Sequence, residues 1–455
     1  MALGKQIAYS AGSFGISLYS QAFATFGFFF YVDHLQASAS LIGLGMGIQG
    51  VLNAILNPLV GHISDRTRTR FGRRVPYILF GSIPFALAFI LIWIPFVHHT
   101  STALFWYFLI SVFLYDVMFV LVVLNWTALF PEMYPTLRER AGVSAWRQGM
   151  GILGMILGVA FPPILYSAFG WTTMAVSFGA IGLVTMLISL YGIRERPDQQ
   201  PQAERGVPIL QALRLTFVNR SFVPYVVASF FIQFPFVLIP AVMPFFTKYV
   251  LHATHGETTI LLGTLFVTAL PFVYVWSAIT RRTGARVAMM AAVAIFGVAL
   301  IPYAFVRTFT AAWIAMVPLG AALAGMLILL DVLISDVIDE DEMRSGARRE
   351  GMYYGVQGFI IRFGVTLQAI VMAQVFTRTG YVPDRINQAP QALAGMHAML
   401  SIVPLASILV ALVALYLYPL HGRRLEGIVQ FRAQRDAELA ADPTLAAQPF
   451  VGRPM

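Results

Sequence analysis

The sequence predicts an all-α, polytopic membrane protein of twelve transmembrane helices in two six-helix, pseudo-symmetric bundles, with both termini cytoplasmic. Three observations carry that expectation. Of 455 residues, 58% are hydrophobic and only 11% are Asp, Glu, Lys or Arg, against about 25% charged in soluble domains, so the chain cannot clothe a water-facing surface. Apolar runs of about 18 residues or more recur along the chain, long enough to cross ~30 Å of hydrocarbon. A long polar stretch, "RERPDQQPQAERGVP" at 194–208, divides those runs six and six.

Taken in order, the runs read as helices over 9–31, 41–63, 75–96, 103–129, 141–165 and 171–191, then 222–248, 259–278, 287–305, 311–337, 351–376 and 397–418. The first begins at Tyr9, runs past Phe30 and has no small-residue cleavage site, so it reads as a span and not a signal peptide. An even number places both termini on one side. Arg147 and Arg362 lie inside spans, and Lys248, Arg307, Arg378 and Arg385 lie by one set of loops; all other basic residues fall on the side of the termini, which the positive-inside rule makes cytoplasmic. The polar stretch is a linker, and "ILQALRLTFVNR" after it has the spacing of a helix lying on the membrane surface. The expected units are therefore a first bundle over 1–192, a connector over 193–221, a second bundle over 222–420 and a tail over 421–455. The tail reads as a short amphipathic helix and a disordered end, with no chemistry assigned. Six plus six with a long connector is the layout of the major facilitator fold, whose halves are pseudo-symmetric.

Composition also excludes function classes. The net charge of +9 follows from the loop arginines, so the expected partners are the bilayer and a small molecule, not nucleic acid. No cysteine is present, which removes disulfides, thiol catalysis and thiolate metal sites. The eight histidines sit at span ends or in loops; His98–His99 and His252 with His255 lack companions for a metal cage. No metal, no cofactor and no enzymatic activity is expected, and the chain is expected to be a monomer.

The motifs lie at the cytoplasmic ends of spans. In "LNAILNPLVGHISDRTRTRFGRR" (52–74), Gly61, Asp65, Arg66, Arg70, Gly72, Arg73 and Arg74 form G-x-x-x-D-R-x-x-x-R-x-G-R-R. Gly61 and Asp65 are one turn apart, so the glycine can admit a neighbouring helix where the carboxylate ends the span. Asp65 can then latch one state of a moving bundle; the alternative is that the arginines serve topology alone. "TALFPEMYPTLRERAG" (127–142) and "LISDVIDEDEMRSGARREG" (333–351) read as acidic-then-basic turns in corresponding places, the second adding Asp336, Arg349 and Glu350 to the gating candidates.

Together these three motifs resemble the glycoside–pentoside–hexuronide:cation symporter family, melibiose permease-like, over nearly all twelve helices. The resemblance implies a sugar or glycoside as substrate and a coupling cation, yet several of the family's positions differ. Its two cation-binding aspartates in span two correspond to Asn53 and Asn57. Four residues apart, these lie on one helix face about 6 Å from each other along the axis. Pro58 cannot donate to the carbonyl of Ala54, leaving an oxygen near them. Neutral amides lack the charge that offsets a cation's dehydration, and interhelical amide hydrogen bonding is the alternative role. The family's sugar-binding aspartates correspond to Ser17 and Val123, and its stacking tryptophan to Thr127, with Asn125, Trp126 and Trp146 close by. Arg147 matches a span-five arginine. Gln357 and Arg362 match a span-eleven glutamine and lysine, with Tyr354 adjoining.

Asp116 and Asp331 are the acidic residues within spans, costly in lipid unless paired, hydrated or protonated, and so coupling candidates. At ~1.5 Å per residue, Asp331 lies ~9 Å and Arg362 ~16 Å from the cytoplasmic ends of their helices, a gap a long arginine can nearly span. Asp116 at ~20 Å and Arg147 at ~9 Å are too far apart in depth to meet. The planar fork of Arg147 suits a carboxylate or phosphate, which points to a substrate with an anionic group, such as a uronide or a lipid headgroup. The reading is an alternating-access secondary transporter, with proton coupling favoured over sodium. A lysolipid or other amphiphile carrier, an uncoupled facilitator and a non-transporting sensor stay open as alternatives.

Overall fold

A computed structural model describes residues 3–67, 69, 72–97, 100–134, 137–193, 216–345 and 349–441. Among them, regular structure is helical apart from one bridge, Thr69 to Gly72. In the first half, α1 (Leu3–Phe29) runs on as a π turn, Phe30–His34; α2 is Ala39–Arg66 and α3 Val75–Ile92. Helix α4 (Ser101–Phe119) passes through a second π turn, Val120–Leu124, into α5 (Asn125–Met133), followed by α6 (Leu137–Ala160) and α7 (Pro162–Gly192). The second half holds α8 (Phe222–Tyr249), α9 (His255–Thr283), α10 (Ala285–Leu300), α11 (Phe309–Ser345), α12 (Glu350–Thr379), α13 (Pro390–Leu400) and α14 (Ile402–Leu417), then the tail helix α15 (Arg423–Ala441).

Among the described residues, nine helical stretches combine the length and apolarity needed to cross a membrane, so the chain is a multi-pass integral membrane protein. The predicted runs 9–31, 41–63 and 141–165 fall on α1, α2 and α6, whose hydropathy is diluted by glycine, serine and amide residues. Those residues serve protein contacts, since lipid offers helices no hydrophobic drive to associate and small side chains let backbones approach. At Gly154 of α6 an added Cβ would run into the Phe14 carbonyl oxygen of α1.

Three boundaries depart from the sequence expectation. The fifth run ends at Ala160, not 165, because Pro162 and Pro163 supply no N–H to continue it. Gly170, at φ +81°, then breaks α7 before Trp171. The acidic half of the 333–351 motif is no turn: α11 continues through it to Ser345, since "DVIDEDEM" holds no helix breaker. The last run is two helices, broken at Ser401. Of the connector's surface helix only residues 216–220 are described, with Thr216–Val218 helical; the rest, and the tail beyond Ala441, lie outside the described residues.

Helix α1 packs on α6, α7 and α8; α2 packs on α12; α9 packs on α6 and α7. The two halves meet most closely at the end away from the termini, where Phe29 of α1 sits edge-on to Phe245 of α8 at 4.9 Å and Phe245 contacts Phe376 of α12 at 4.8 Å. Toward the termini, a Cβ on Gly149 of α6 or on Gly355 or Gly358 of α12 would meet no described atom within 4 Å. The bundle is thus plugged by aromatic rings at the far end.

Candidate functional site: a stacked arginine in the first half-bundle

Arg147, two and a half turns into α6, projects onto an aromatic cluster built by α1 and α5. Its guanidinium carbon lies 4.5 Å from the Trp126 ring centre, 4.5 Å from that of Phe130 and 5.8 Å from that of Tyr9. Such cation–π contacts hold a guanidinium without consuming its donors. Its Nε is buried and has no hydrogen-bond partner among the described residues. The side chain as a whole is half-buried, and a guanidinium held on ring faces can still offer its planar fork to an acceptor-bearing ligand.

The cluster itself is tied down. Tyr9 stacks on Trp126 at 4.8 Å and donates its hydroxyl to the Trp126 carbonyl at 2.8 Å. Trp126 Nε1 donates to Ser189 Oγ at 2.7 Å, and Ser189 donates to the Tyr9 carbonyl at 2.9 Å. Trp126 is therefore a buried wall that holds Arg147, with one face against Tyr9. Trp146, in contrast, is 41% exposed. Asn125, first residue after the π turn, is buried; its Nδ2 donates to the Leu121 carbonyl at 2.8 Å while its Oδ1 has no described partner. Ser17 is half-buried on α1, opposite Gly151 of α6.

On the other half, Gln357 is buried and donates to Tyr225 Oη at 2.6 Å and Ser229 Oγ at 3.4 Å, so α12 fastens it to α8. Tyr354, one turn earlier, is 43% exposed. The side chain of Arg362 lies outside the described residues, and with it the expected Asp331–Arg362 pair; Asp331 itself is exposed, its carbonyl taking the Ser335 hydroxyl at 2.8 Å. Asp116 is buried on α4. Asn53 and Asn57 share one face of α2: Asn57 Nδ2 donates to Asn53 O at 2.9 Å and to Asn53 Oδ1 at 3.2 Å. The amides bond each other within one helix.

The gating candidates fall in three groups. Asp65 and Arg66 are helical, but their side chains, and all of Arg70, lie outside the described residues. At Gly61, an added Cβ would meet, among the described residues, Leu124 of the second π turn at an ordinary 3.6 Å. Arg73 is half-buried after the Gly72 turn, at φ +105°. Arg349 approaches Asp341 at 3.7 Å, and Glu350, exposed, begins α12. Asp336 is engaged by the tail and not across the halves, because α11 runs on as helix beneath α15. Arg432 donates to Asp336 at 2.9 Å and to Asp339 at 2.7 Å, and Arg435 donates to Glu342 at 2.8 Å. Burial alone would lower the Arg432 pKa, but Asp339 and Asp336 raise it above the ordinary arginine value. The sequence reading missed this clasp, although its signal is present: acids at 336, 339 and 342 and arginines at 432 and 435 each recur every three residues, one face apiece. Substituting Arg432→Glu is expected to free α15, raising the rate of limited proteolysis within 423–441 about tenfold, since local opening sets cleavage.

A second constellation also escaped the sequence reading. At the far end, Asp33 of the first half is buried and bonded by Lys248, Tyr249 and Tyr381, all from the second half. Lys248 had served only to count loop charge; the bond to Asp33 spans 215 residues and has no local pattern.

Comparison with known proteins agrees with this architecture. The isoprimeverose transporter of Lactiplantibacillus pentosus is 26% identical over 450 residues, covering 95% of this chain and 92% of its own. The sodium-dependent lysophosphatidylcholine symporter 1 of Gallus gallus is 24% identical, covering 81% of this chain and 77% of its own. The solved nucleoside transporter NupG superposes with a TM-score of 0.66 at 15% identity, over 92% of this chain and 99% of that one, a likeness of fold alone. The family described as MFS/sugar transport protein matches residues 8–422. With an all-helical bundle plugged at one end and that match over nearly its whole length, the chain belongs to the MFS/sugar transport protein family.

Proposed function

We propose that this membrane transporter is a symporter that carries a sugar or glycoside bearing an anionic group by rocking its two half-bundles, with protons as the coupling ion. All twelve helices cross the membrane in this reading, both termini are cytoplasmic, and the units are 1–192, 193–221, 222–420 and 421–455. The observation that carries it is the half-buried Arg147 guanidinium, held on the faces of Trp126 and Phe130. The relative that transports isoprimeverose supports a sugar as the substrate class. Proton coupling is supported by Asn53 and Asn57, whose paired amides offer a sodium ion no charge to offset its dehydration.

A lysolipid carrier is the second reading, favoured by the similarity to the lysophosphatidylcholine symporter. Uptake into proteoliposomes separates the two. Methyl glucuronide is expected to accumulate under an inward proton gradient and not under a sodium gradient, while neutral methyl glucoside enters far more slowly. Uptake of lysophosphatidylcholine with neither sugar moving would establish the second reading, and a sodium requirement would remove proton coupling.

A further inference from the structure

We propose that the second half-bundle, at the end that carries the tail, holds a headgroup site for an anionic phospholipid, built by five arginines from two segments. It rests on that end facing the cytoplasm, and on nothing in the reading of the substrate or the coupling ion.

Packing brings the two segments together. Helix α9 ends at Thr283 and α10 begins at Ala285, with only Gly284 between them. Arg281 and Arg282 therefore close α9, and Arg286 stands in the first turn of α10. Helix α10 packs on α14. There Arg286 Nε donates to the Leu415 carbonyl at 2.9 Å and Nη2 to the Tyr416 carbonyl, both in the last turn of α14, a favoured place for a basic side chain. Its guanidinium carbon lies 5.9 Å from the Tyr416 ring centre. A five-residue link, 418–422, follows, and Arg423 and Arg424 then open α15.

The charge of this patch is not met by the protein. Over 276–290 and 413–427 the sequence holds five arginines and one acid, Glu426. None of the five forms a salt bridge among the described residues. The corresponding turn of the first half carries Asp65 before Arg66; here Thr280 precedes Arg281, its hydroxyl on the Trp276 carbonyl at 2.7 Å. Arg281, Arg282, Arg423 and Arg424 are exposed, and Arg286 is half-buried. Of the five N–H donors that a guanidinium carries, Arg286 spends two on the end of α14.

The apolar surface beside the patch selects the class of anion. Val413, Tyr416 and Leu417 of α14 and Val287 of α10 are exposed, and in a membrane-spanning bundle such side chains face hydrocarbon. Guanidinium groups at the edge of an apolar strip match an amphiphile, with its phosphate on the arginine forks and a chain along the strip. A soluble phosphate would use the arginines alone. The cytoplasmic leaflet is the anionic one, and basic groups at its surface attract its headgroups. A phosphatidylglycerol headgroup brings a net negative charge. Phosphatidylcholine brings its own ammonium, which five arginines repel.

The absence of native cysteine lets a single fluorophore at V413C, on the exposed face of α14 one turn before Leu417, report which lipid lies there. In phosphatidylcholine proteoliposomes holding a fixed small fraction of nitroxide-chain lipid, nitroxide phosphatidylglycerol is expected to quench the label several-fold more than nitroxide phosphatidylcholine. R281Q with R282Q, exposed positions with no salt bridge to lose, is expected to cut that preference at least by half, and adding R423Q and R424Q to abolish it. R378Q with R385Q, at the far end, is expected to leave it unchanged. Salt at about 1 M, where the Debye length is about 3 Å, is expected to weaken it. Equal quenching by the two lipids with all five arginines in place, or a preference that survives the four substitutions, overturns the proposal. Loss of the preference on adding soluble glycerol phosphate assigns the arginines to a soluble anion and overturns it too. Quenching reads no transport, so failure of the sugar-symport reading would appear in the uptake assay and leave these results unchanged.

Discussion

Arg147→Ala is expected to abolish uptake of an anionic sugar while leaving the folded protein almost as stable as before. The guanidinium is held by the faces of Trp126 and Phe130, and its buried Nε is unspent, so little is lost on folding when it goes. A substrate anion would lose a charge-assisted bond worth about 1.5–3 kcal/mol, which in transport efficiency is a fall of roughly ten- to a hundredfold. Arg147→Lys keeps the charge but lacks the planar fork, so an intermediate loss is expected. Initial uptake rates, read beside thermal unfolding in detergent, check this. Undiminished uptake of the anionic sugar removes Arg147 from the binding site, and a drop of many degrees in Tm with Arg147→Ala assigns it a structural role.

The same substitution, glycine to alanine, is expected to act in opposite directions at two helix positions. In isolation it favours a helix by up to about 1 kcal/mol. At Gly61 the new methyl meets, among the described residues, only Leu124 at 3.6 Å, so stability is expected to hold or rise. At Gly154 it strikes the Phe14 carbonyl oxygen, a backbone atom that cannot rotate aside. Helices α1 and α6 must then separate along their whole contact, a strain at or above the ~1–3 kcal/mol usual for overpacking. Thermal unfolding of the two variants side by side should give a large loss for Gly154→Ala and none for Gly61→Ala. Equal effects would contradict the packing of α1 on α6.

Most of the fold was legible because its signals are local. A span declares itself by its run of apolar residues, and each predicted run falls on a helix. The misplaced ends have local causes too: Pro162 and Pro163 stop α6, and the acidic stretch after Leu333 continues α11. The candidate site was legible in part. The side-by-side placement of Asn53 and Asn57 follows from their spacing, and their mutual bond is what that spacing allows. The part played by Trp126 did not follow, because the partners that occupy its indole N–H and one face, Ser189 and Tyr9, come from α7 and α1.

Composition and the order of apolar runs were enough to establish a multi-pass helical membrane protein, and the loop motifs were enough to indicate its family. Both follow from constraints the chain meets segment by segment: each span must satisfy its own backbone in lipid, so its sequence alone declares it. Which polar groups meet across helices was decided by packing alone. Asp33 finds Lys248 across 215 residues, Arg432 finds Asp336 and Asp339 across more than ninety, and Arg147 finds rings on two other helices. A buried charge must take its partners from whatever helix lies against it, and only the folded bundle brings those helices together.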